Sequence, residues 1–183
     1  MRAPTTYIQG WASYIARDAQ GGVPYNLANK HTIPQTTSQQ AVITMCNIQH
    51  ASTTDKPFWR ALDPHLPEPE LNRKIRDKRA YIISVQGIPI GIMRYNLLWD
   101  TTPFLTLIYI EDSQHRKGYG RQAMRFWEDE MRTLGYHMVI TSTRADEEAQ
   151  HFYRTLGYID RGSISLDGTP QSQPQELFML KIL

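Results

Sequence analysis

The residues best suited to binding a ligand form a loop of glycines and cations in the second half of the chain. Gly118 and Gly120 stand just before a long helical pattern. Basic side chains surround the two glycines: His115, Arg116, Lys117 and Arg121. A helix N-terminus directs unpaired backbone N–H groups and the positive end of its dipole at one point, and glycine lets a phosphate come close to the backbone. The pattern predicts a site for a phosphate group.

The same loop also fits an ordinary turn into a helix, because Gly-x-Gly alone is a weak motif. Other phosphate motifs fit less well. No Gly-Lys-Ser/Thr follows the loop for a nucleoside triphosphate with magnesium, and no third glycine stands at the dinucleotide spacing. From these residues alone, a phosphate site and a plain turn both remain open.

A second segment, AQHFYRTLGY at residues 149–158, forms a helical pattern that ends at Gly157 and leads into a strand. Together with HRKGYG at 115–120, which follows the strand-like LTLIYI, it resembles the GNAT superfamily of N-acetyltransferases. The first block is similar to that family's acetyl-coenzyme A signature, Arg/Gln-x-x-Gly-x-Gly/Ala, and the second to a later block that closes a helix with Gly-Phe or Gly-Tyr. His115 stands where Arg or Gln is usual, and Asp146 where Asn often caps the helix.

This resemblance implies that acetyl-coenzyme A (acetyl-CoA) is the co-substrate. No metal is expected, because neither His65 nor His151 has a second His at ligand spacing. The resemblance places the pantetheine arm along Tyr109, Ile110 and Glu111. The other cofactor-binding residues that it implies lie in the basic loop and at the cap of the second helix: His115, Arg116, Lys117, Gly118, Tyr119, Gly120, Arg121 and Asp146.

Tyr153 lies in the second block, where the resemblance implies that its hydroxyl donates a proton to the leaving thiolate. A donor is useful because a thiol has a pKa near ~8.5. A tyrosine at this place on an amphipathic helix is also typical of a core residue. The sequence leaves both interpretations open.

Aromatic and acidic residues are expected around the acceptor amine. Aromatic faces suit a cation or the apolar body of an amine, and the resemblance places four aromatic residues in segments that rim the acceptor cleft: Trp59, Tyr95, Trp99 and Phe104. Core packing is the alternative, above all for Tyr95 and Phe104. Trp59, Trp99 and the neighbouring Asp100 are the substrate-binding candidates. The general base is not assigned, since Phe104 stands where some family members carry a glutamate. Glu111 and Asp100 are the nearest acids in the sequence, and a chain of water molecules is the alternative.

Hydrophobic periodicity predicts the elements that position these residues. Strands are predicted at residues 41–48, 80–85, 89–98, 104–110, 137–142, 158–166 and 176–181. Helices are predicted at residues 55–62, 67–78 and 118–134, with a further ten-residue helix capped by Asp146. The element order describes a mixed sheet with helices on both faces. The resemblance implies the α/β (α+β) GNAT fold, with a mostly antiparallel central sheet of about six to seven strands.

The long helix at 118–134 is expected to bury one apolar face: Ala123, Met124, Trp127, Met131 and Leu134. Residues 1–40 differ from the rest, because Gln, Thr, Gly and Pro are concentrated there. They are expected to form an N-terminal extension, either a linker or a short docked helix that carries Tyr7, Trp11, Tyr14 and Ile15. The GNAT domain is expected at residues 41–183.

Composition narrows the class of protein. The 183 residues fit one domain, and 20 Lys and Arg against 18 Asp and Glu give a net charge of +2, too small to indicate a nucleic-acid or membrane partner. The single cysteine, Cys46, provides no internal disulfide framework and no thiolate cluster for zinc. No apolar stretch reaches the roughly 20 residues of a membrane span. We expect a soluble, cytoplasmic protein that is a monomer or a homodimer.

The sequence therefore predicts an acetyl-CoA-dependent N-acetyltransferase that acts on a primary amine, with a small molecule as the expected acceptor and a protein as the alternative. A non-catalytic acyl-CoA-binding regulatory module is a second hypothesis, suggested by Phe104 and His115. An RNA-binding domain that uses Arg116, Lys117 and Arg121 is a third. Three clustered cations are few for such a surface.

Overall fold

The computed structural model describes residues 45–183. The expected N-terminal extension over residues 1–40, its docked helix and the expected start of the domain at residue 41 lie outside the described residues.

A seven-stranded sheet forms the centre of the described part, in the order β1-β2-β3-β4-β5-β7-β6. The strands are β1 (Asn47–His50), β2 (Ala80–Val85), β3 (Ile88–Leu98), β4 (Thr102–Ile110), β5 (Met138–Arg144), β6 (Ile159–Ile164) and β7 (Glu176–Ile182). The helices are α1 (Lys56–Leu62), α2 (Glu68–Arg76), α3 (Tyr119–Thr133) and α4 (Ala149–Thr155). β4 and β5 run parallel, while the other neighbouring strands pair antiparallel.

Both faces of the sheet are apolar, and helices cover each face. On one face, Ile82 and Ile92 pack with Trp59 of α1 and Leu71 of α2. On the other face, a larger cluster joins sheet residues to α3 and α4: Met93, Ile108, Val139, Met179, Trp127, Met131 and Tyr153. These two layers confirm the predicted mixed, mostly antiparallel sheet with helices on both sides.

Helix α3 buries the face that its periodicity predicts, with one exception. Ala123, Met124, Trp127 and Met131 are fully buried, but Leu134 is 60% exposed. The prediction for Leu134 is wrong because the helix ends at Thr133, which leaves Leu134 at the C-cap.

The buried surface of α3 also includes a charged residue. Glu128 is 3% exposed, and its Oε2 accepts a hydrogen bond from Lys181 Nζ of β7 at 2.5 Å. A buried charge requires such a partner, and a pattern built on apolar residues does not reveal the pair.

The first strand and the last helix differ from their predicted bounds. β1 covers Asn47–His50 and, in the described part of the chain, pairs only with β2, which places it at the edge of the sheet. Most of its residues are polar, so hydrophobic periodicity does not mark its bounds. The predicted cap of α4 is wrong: Glu148 occupies the N-cap position, and the helix has seven residues rather than ten. Asp146 instead pairs with Arg144, at 2.9 Å from Nε and 2.7 Å from Nη2.

Candidate functional site

An opening in the sheet lies between β4 and β5. β4 pairs with β5 at Phe104 and Leu105, and the two strands then diverge. Because the strands are parallel, the gap widens toward their C-terminal ends at Ile110 and Arg144. Facing backbone groups beyond the last pair lack a strand partner, which suits an extended ligand that can pair with a strand edge.

Few backbone groups at the C-terminal end of β4 face the opening. Glu111 N–H donates to Ile90 O of β3 at 2.9 Å, so this amide points away from the opening. Because successive residues of a strand direct their backbone groups to opposite sides, Tyr109 also faces β3 and Ile110 faces the opening. His115 Nε2 donates to Ile110 O at 2.7 Å and occupies that carbonyl. Among Tyr109, Ile110 and Glu111, the Ile110 N–H is therefore the group that points into the opening.

The start of α3 presents unpaired amides beside this edge. Its N-cap, Gly118, has a φ of 82°, a left-handed conformation that favours glycine. The first helical hydrogen bond runs from Gln122 N–H to Gly118 O at 3.1 Å, so Tyr119, Gly120 and Arg121 have N–H groups without a partner inside the helix. A Cβ on Gly118 would find no atom within 4 Å. The space before the helix is open, and the geometry fits an anion.

The cations of the loop are exposed around this helix start. Lys117 Nζ donates to Ser113 O at 3.0 Å, and Arg121 Nη2 donates to Thr155 Oγ1 of α4 at 3.2 Å. Arg116 precedes them with a left-handed φ of 62°. These contacts hold positive charge close to the bare amides, where it adds to the attraction of the helix dipole for a phosphate.

Tyr153 is fully buried between α4 and the sheet. Its ring packs against Tyr158, with centroids 5.6 Å apart. Its Oη has no hydrogen-bond partner within residues 45–183. Burial raises the pKa of Tyr153 well above its usual value, and the Thr141 side chain counteracts this in part. Since Thr141 pairs with Leu105 at the point where β4 and β5 separate, the structure brings Tyr153 to the root of the opening.

The three residues expected at the acceptor cleft are not gathered there. Trp59 is 1% exposed and belongs to the core under α1 and α2, so its indole packs inside instead of facing solvent. Trp99 and Asp100 form the β3–β4 turn, where Trp99 is 74% exposed. That turn lies at the opposite end of β4 from Ile110, roughly 27 Å away at the rise of a strand.

Gly91 allows the close approach of β3 to β4 beside the opening, a role that the sequence patterns did not predict. It pairs with Ile110, and a Cβ at this position would lie 2.4 Å from Tyr109 O. Strands β3 and β4 approach each other too closely for any other residue, and this fixes the edge that faces the opening. A glycine inside a strand pattern is the available sequence signal for such a close approach.

Comparison with known proteins gives the family. The Acetyltransferase (GNAT) family model matches residues 47–158. The chain belongs to the GNAT acetyltransferase family. Membership supports acyl-CoA-dependent N-acetyl transfer in general and leaves the amine unspecified. No curated protein sequence matches the chain significantly.

Solved structures share the GNAT fold. Ard1 from Thermoplasma volcanium is 17% identical with a TM-score of 0.66, covering 75% of this chain and 97% of its own. A ribosomal-protein-alanine N-acetyltransferase from Brucella melitensis is 21% identical with a TM-score of 0.64, covering 75% and 99%. A Bacillus subtilis acetyltransferase in complex with CoA is 14% identical with a TM-score of 0.60, covering 76% and 99%. At these identities the likeness concerns the fold.

A membrane-spanning helix and a metal-binding cluster are both absent from the part of the chain that the structure describes. None of the helices formed by residues 45–183 is long and apolar enough to cross a membrane. The same residues contain no group of three or more His, Cys, Asp or Glu side chains that could hold a metal ion.

Proposed function

We propose that this GNAT protein transfers the acetyl group of acetyl-CoA directly to a primary amine of a small-molecule acceptor. The observation that supports the proposal is the divergence of β4 from β5 immediately beside the bare N-terminus of α3. An extended arm pairs with a strand edge while a diphosphate binds helix amides, and here the two features adjoin.

Different residues bind different parts of the cofactor. Amides from Tyr119 to Arg121 receive the diphosphate, and Arg116 and Lys117 add positive charge. Ile110 N–H is directed at the pantetheine arm. His115 acts indirectly, because its hydrogen bond to Ile110 O fixes the end of β4. Asp146 is exposed and paired with Arg144, so a role in binding the cofactor would require it to leave that pair.

Chemistry at the thioester needs three contributions from the protein. The amine attacks as its free base, so a proton must leave it first. A backbone N–H near the end of β4 stabilises the developing oxyanion, a contribution worth several kcal/mol in comparable sites. Tyr153 then supplies a proton to the thiolate. The unpartnered, protonated phenol at the root of the opening supports this role.

Titration with coenzyme A tests the cofactor half of this proposal. We expect binding heat in calorimetry and a rise in melting temperature, because a ligand that binds only the folded state stabilises it. Arg121→Ala should weaken binding, since it removes a cation beside the helix N-terminus. Arg132→Ala is the matched control, because Arg132 lies in the last turn of the same helix. A flat titration would remove the basis of the proposal.

Release of free thiol from acetyl-CoA, measured with a panel of amines, tests the transfer half. A small amine, a polyamine and a short peptide with a free N-terminus cover the acceptor classes. Transfer to the peptide alone would replace the small-molecule acceptor by a protein. Coenzyme A binding without thiol release from any amine would favour the alternative, a non-catalytic acyl-CoA-binding module.

A further inference from the structure

Glu176 is a buried carboxyl group on the wall of the β4–β5 opening. It is the first residue of β7 and pairs with Arg144 of β5. Arg144 lies three residues after Thr141, the last residue of β5 that pairs with β4. Only 6% of Glu176 is exposed. Its Oε2 accepts a hydrogen bond from Gln173 Nε2 at 3.0 Å. Its Oε1 has no hydrogen-bond partner among the described residues.

A buried carboxylate oxygen without a hydrogen-bond partner costs free energy, and a donor group of a ligand in the opening would remove that cost. Burial raises the pKa of Glu176, and nearby Glu147 raises it further, while Ser142, Gln173 and Arg144 lower it. A carboxyl group in this environment accepts a proton more readily than an exposed one.

Glu176 and Tyr153 lie on opposite faces of the sheet. Side chains alternate along a strand, so Glu176 shares a face with Phe178, while Met179 packs with α3 and α4 in the cluster that contains Tyr153. Burial is the main cause of the raised pKa of Tyr153, and the charge of Glu176 makes a smaller contribution in the same direction.

An aromatic pair lies on the Glu176 face. Phe104 of β4 and Phe178 of β7 stack with ring centroids 6.0 Å apart, and both are half-buried. A carboxylate beside aromatic faces suits an ammonium group attached to an apolar body. Some family members carry a glutamate on β4 where this chain has Phe104. In this chain the nearby carboxyl group comes from Glu176 of β7 instead.

We propose that Glu176 binds the amino group of the acceptor and takes its proton, while Phe104 and Phe178 hold the apolar part of the same molecule. The proposal rests on the proposed function and adds to it a general base and an acceptor class, a primary amine next to an apolar or aromatic group.

Protons and bonds balance in this scheme. The ammonium gives one proton to the Glu176 carboxylate, and the free amine forms a C–N bond with the thioester carbon. The C–S bond breaks, and the leaving thiolate takes a proton from the Tyr153 hydroxyl. The nitrogen loses its second proton, which restores the phenol through solvent, and Glu176 releases its proton to water. The net products are the amide, the free thiol of coenzyme A and one proton.

Two probe amines separate a base from a residue that only shapes the site. The ammonium form of 2-phenylethylamine dominates at neutral pH, so this amine needs a base, whereas hydroxylamine is largely neutral and does not. Glu176→Gln should slow acetyl transfer to 2-phenylethylamine at least about tenfold, the low end of acid–base contributions. Transfer to hydroxylamine should stay within about twofold. Glu176→Asp should keep intermediate activity, because the carboxylate remains on a shorter side chain.

Glu148→Gln is the matched control, since Glu148 is an exposed glutamate at the start of α4 and its side chain makes no cap hydrogen bond. It should leave both rates unchanged. Melting temperatures of all variants exclude unfolding as the cause of a slow rate.

Each outcome has a separate meaning. Equal rates for Glu176→Gln and the unmodified protein overturn this inference and leave the proposed function intact. Equal slowing with both amines overturns the role as a base. Transfer to hydroxylamine with none to 2-phenylethylamine overturns the acceptor class. Absence of coenzyme A binding and of thiol release overturns the proposed function itself.

Discussion

Two buried polar atoms without partners mark the opening between β4 and β5, the Tyr153 Oη and the Glu176 Oε1. Each unsatisfied group costs about 1–3 kcal/mol of folding free energy. Buried atoms without such a partner also lie on five other described residues: His50, Trp59, Trp127, Glu128 and Tyr158. The two at the opening therefore support a ligand site only together with the strand divergence beside them. At the scale of single residues, Tyr153 and Glu176 are distinguished by combining a buried unpaired oxygen with a position near the point where β4 and β5 separate.

Tyr153→Phe separates the chemical role of this tyrosine from its packing. The variant keeps the ring in the core and removes the unpaired hydroxyl, so we expect unchanged stability or a gain of about 1 kcal/mol. Transfer should slow at least about tenfold with little change in coenzyme A affinity, because the proton donor is lost. Thiol-release kinetics, calorimetry and thermal unfolding measure the three quantities.

Tyr136→Phe is the control for Tyr153→Phe, because it removes a phenol from the loop before β5. It should not alter turnover. Unchanged turnover of Tyr153→Phe would leave that tyrosine as a core residue only. The raised pKa of Tyr153 also predicts how the rate depends on pH. The phenol must be protonated to act, and it keeps its proton until the pH exceeds this raised pKa. Ionisation of Tyr153 should therefore not lower the rate between about pH 7 and about pH 9.

Strand register is the feature that matters at the scale of elements. β4 pairs with β3 along its whole length and with β5 only at Phe104 and Leu105. A bulge near Tyr95 shifts the β3–β4 register, and such a bulge increases local twist. The free edge of β4 is therefore held from one side, by β3, and any change in the contact between β3 and β4 moves the edge that faces the cofactor.

Gly91→Ala should reveal this dependence. Its Cβ would lie 2.4 Å from Tyr109 O, a backbone atom that cannot move without shifting β4. We expect a loss of stability of about 1–3 kcal/mol from overpacking and a weaker affinity for coenzyme A. Chemical denaturation and calorimetry check the two effects.

Gly120→Ala provides the comparison for stability. There the nearest contact of a Cβ is Phe152 Cζ at 3.4 Å, a side-chain atom, and alanine favours a helix over glycine by up to about 1 kcal/mol. Stability should be kept or raised in this variant. Native stability of Gly91→Ala would show that the strands tolerate the extra atom.

At the scale of the whole molecule, a buried lysine links stability to pH. Lys74 of α2 is 5% exposed, and its Nζ donates to Tyr95 O at 3.1 Å and to Asn96 Oδ1 at 2.5 Å. Burial, with a smaller contribution from the charge of Arg94, lowers its pKa from 10.5 to about 8. The folded protein thus carries a charge that it stabilises poorly.

The sign of the effect follows from proton binding. Between about pH 8 and 10.5 the unfolded chain binds more protons at Lys74 than the folded chain, so stability rises with pH in that window. Lowering the pKa from 10.5 to about 8 corresponds to about 3 kcal/mol of folding free energy. Urea unfolding across the lower part of the window should show the rise, and Lys74→Met should remove it.

Lys78→Met is the control, because Lys78 is an exposed lysine just after the same helix. It should keep the rise in stability. The same slope in Lys74→Met and in the unmodified protein would contradict the account of Lys74.

The sequence by itself determined the elements and the anion loop. Short-range patterns set them: β2 has the predicted bounds, α3 begins one residue from its predicted start, and Gly118 takes the left-handed conformation that makes a bare N-terminus. Neighbours along the chain decide such features, so periodicity and glycine positions are sufficient to predict them.

Tertiary structure alone decided how the site is completed. The divergence of β4 from β5, the insertion of β7 between β5 and β6, and the burial of Trp59, Lys74 and Glu176 depend on contacts between distant segments. A polar residue carries no local mark of whether another strand will cover it. Glu176 therefore looks like an ordinary loop-end acid in the sequence, and only the sheet order brings it to the cleft.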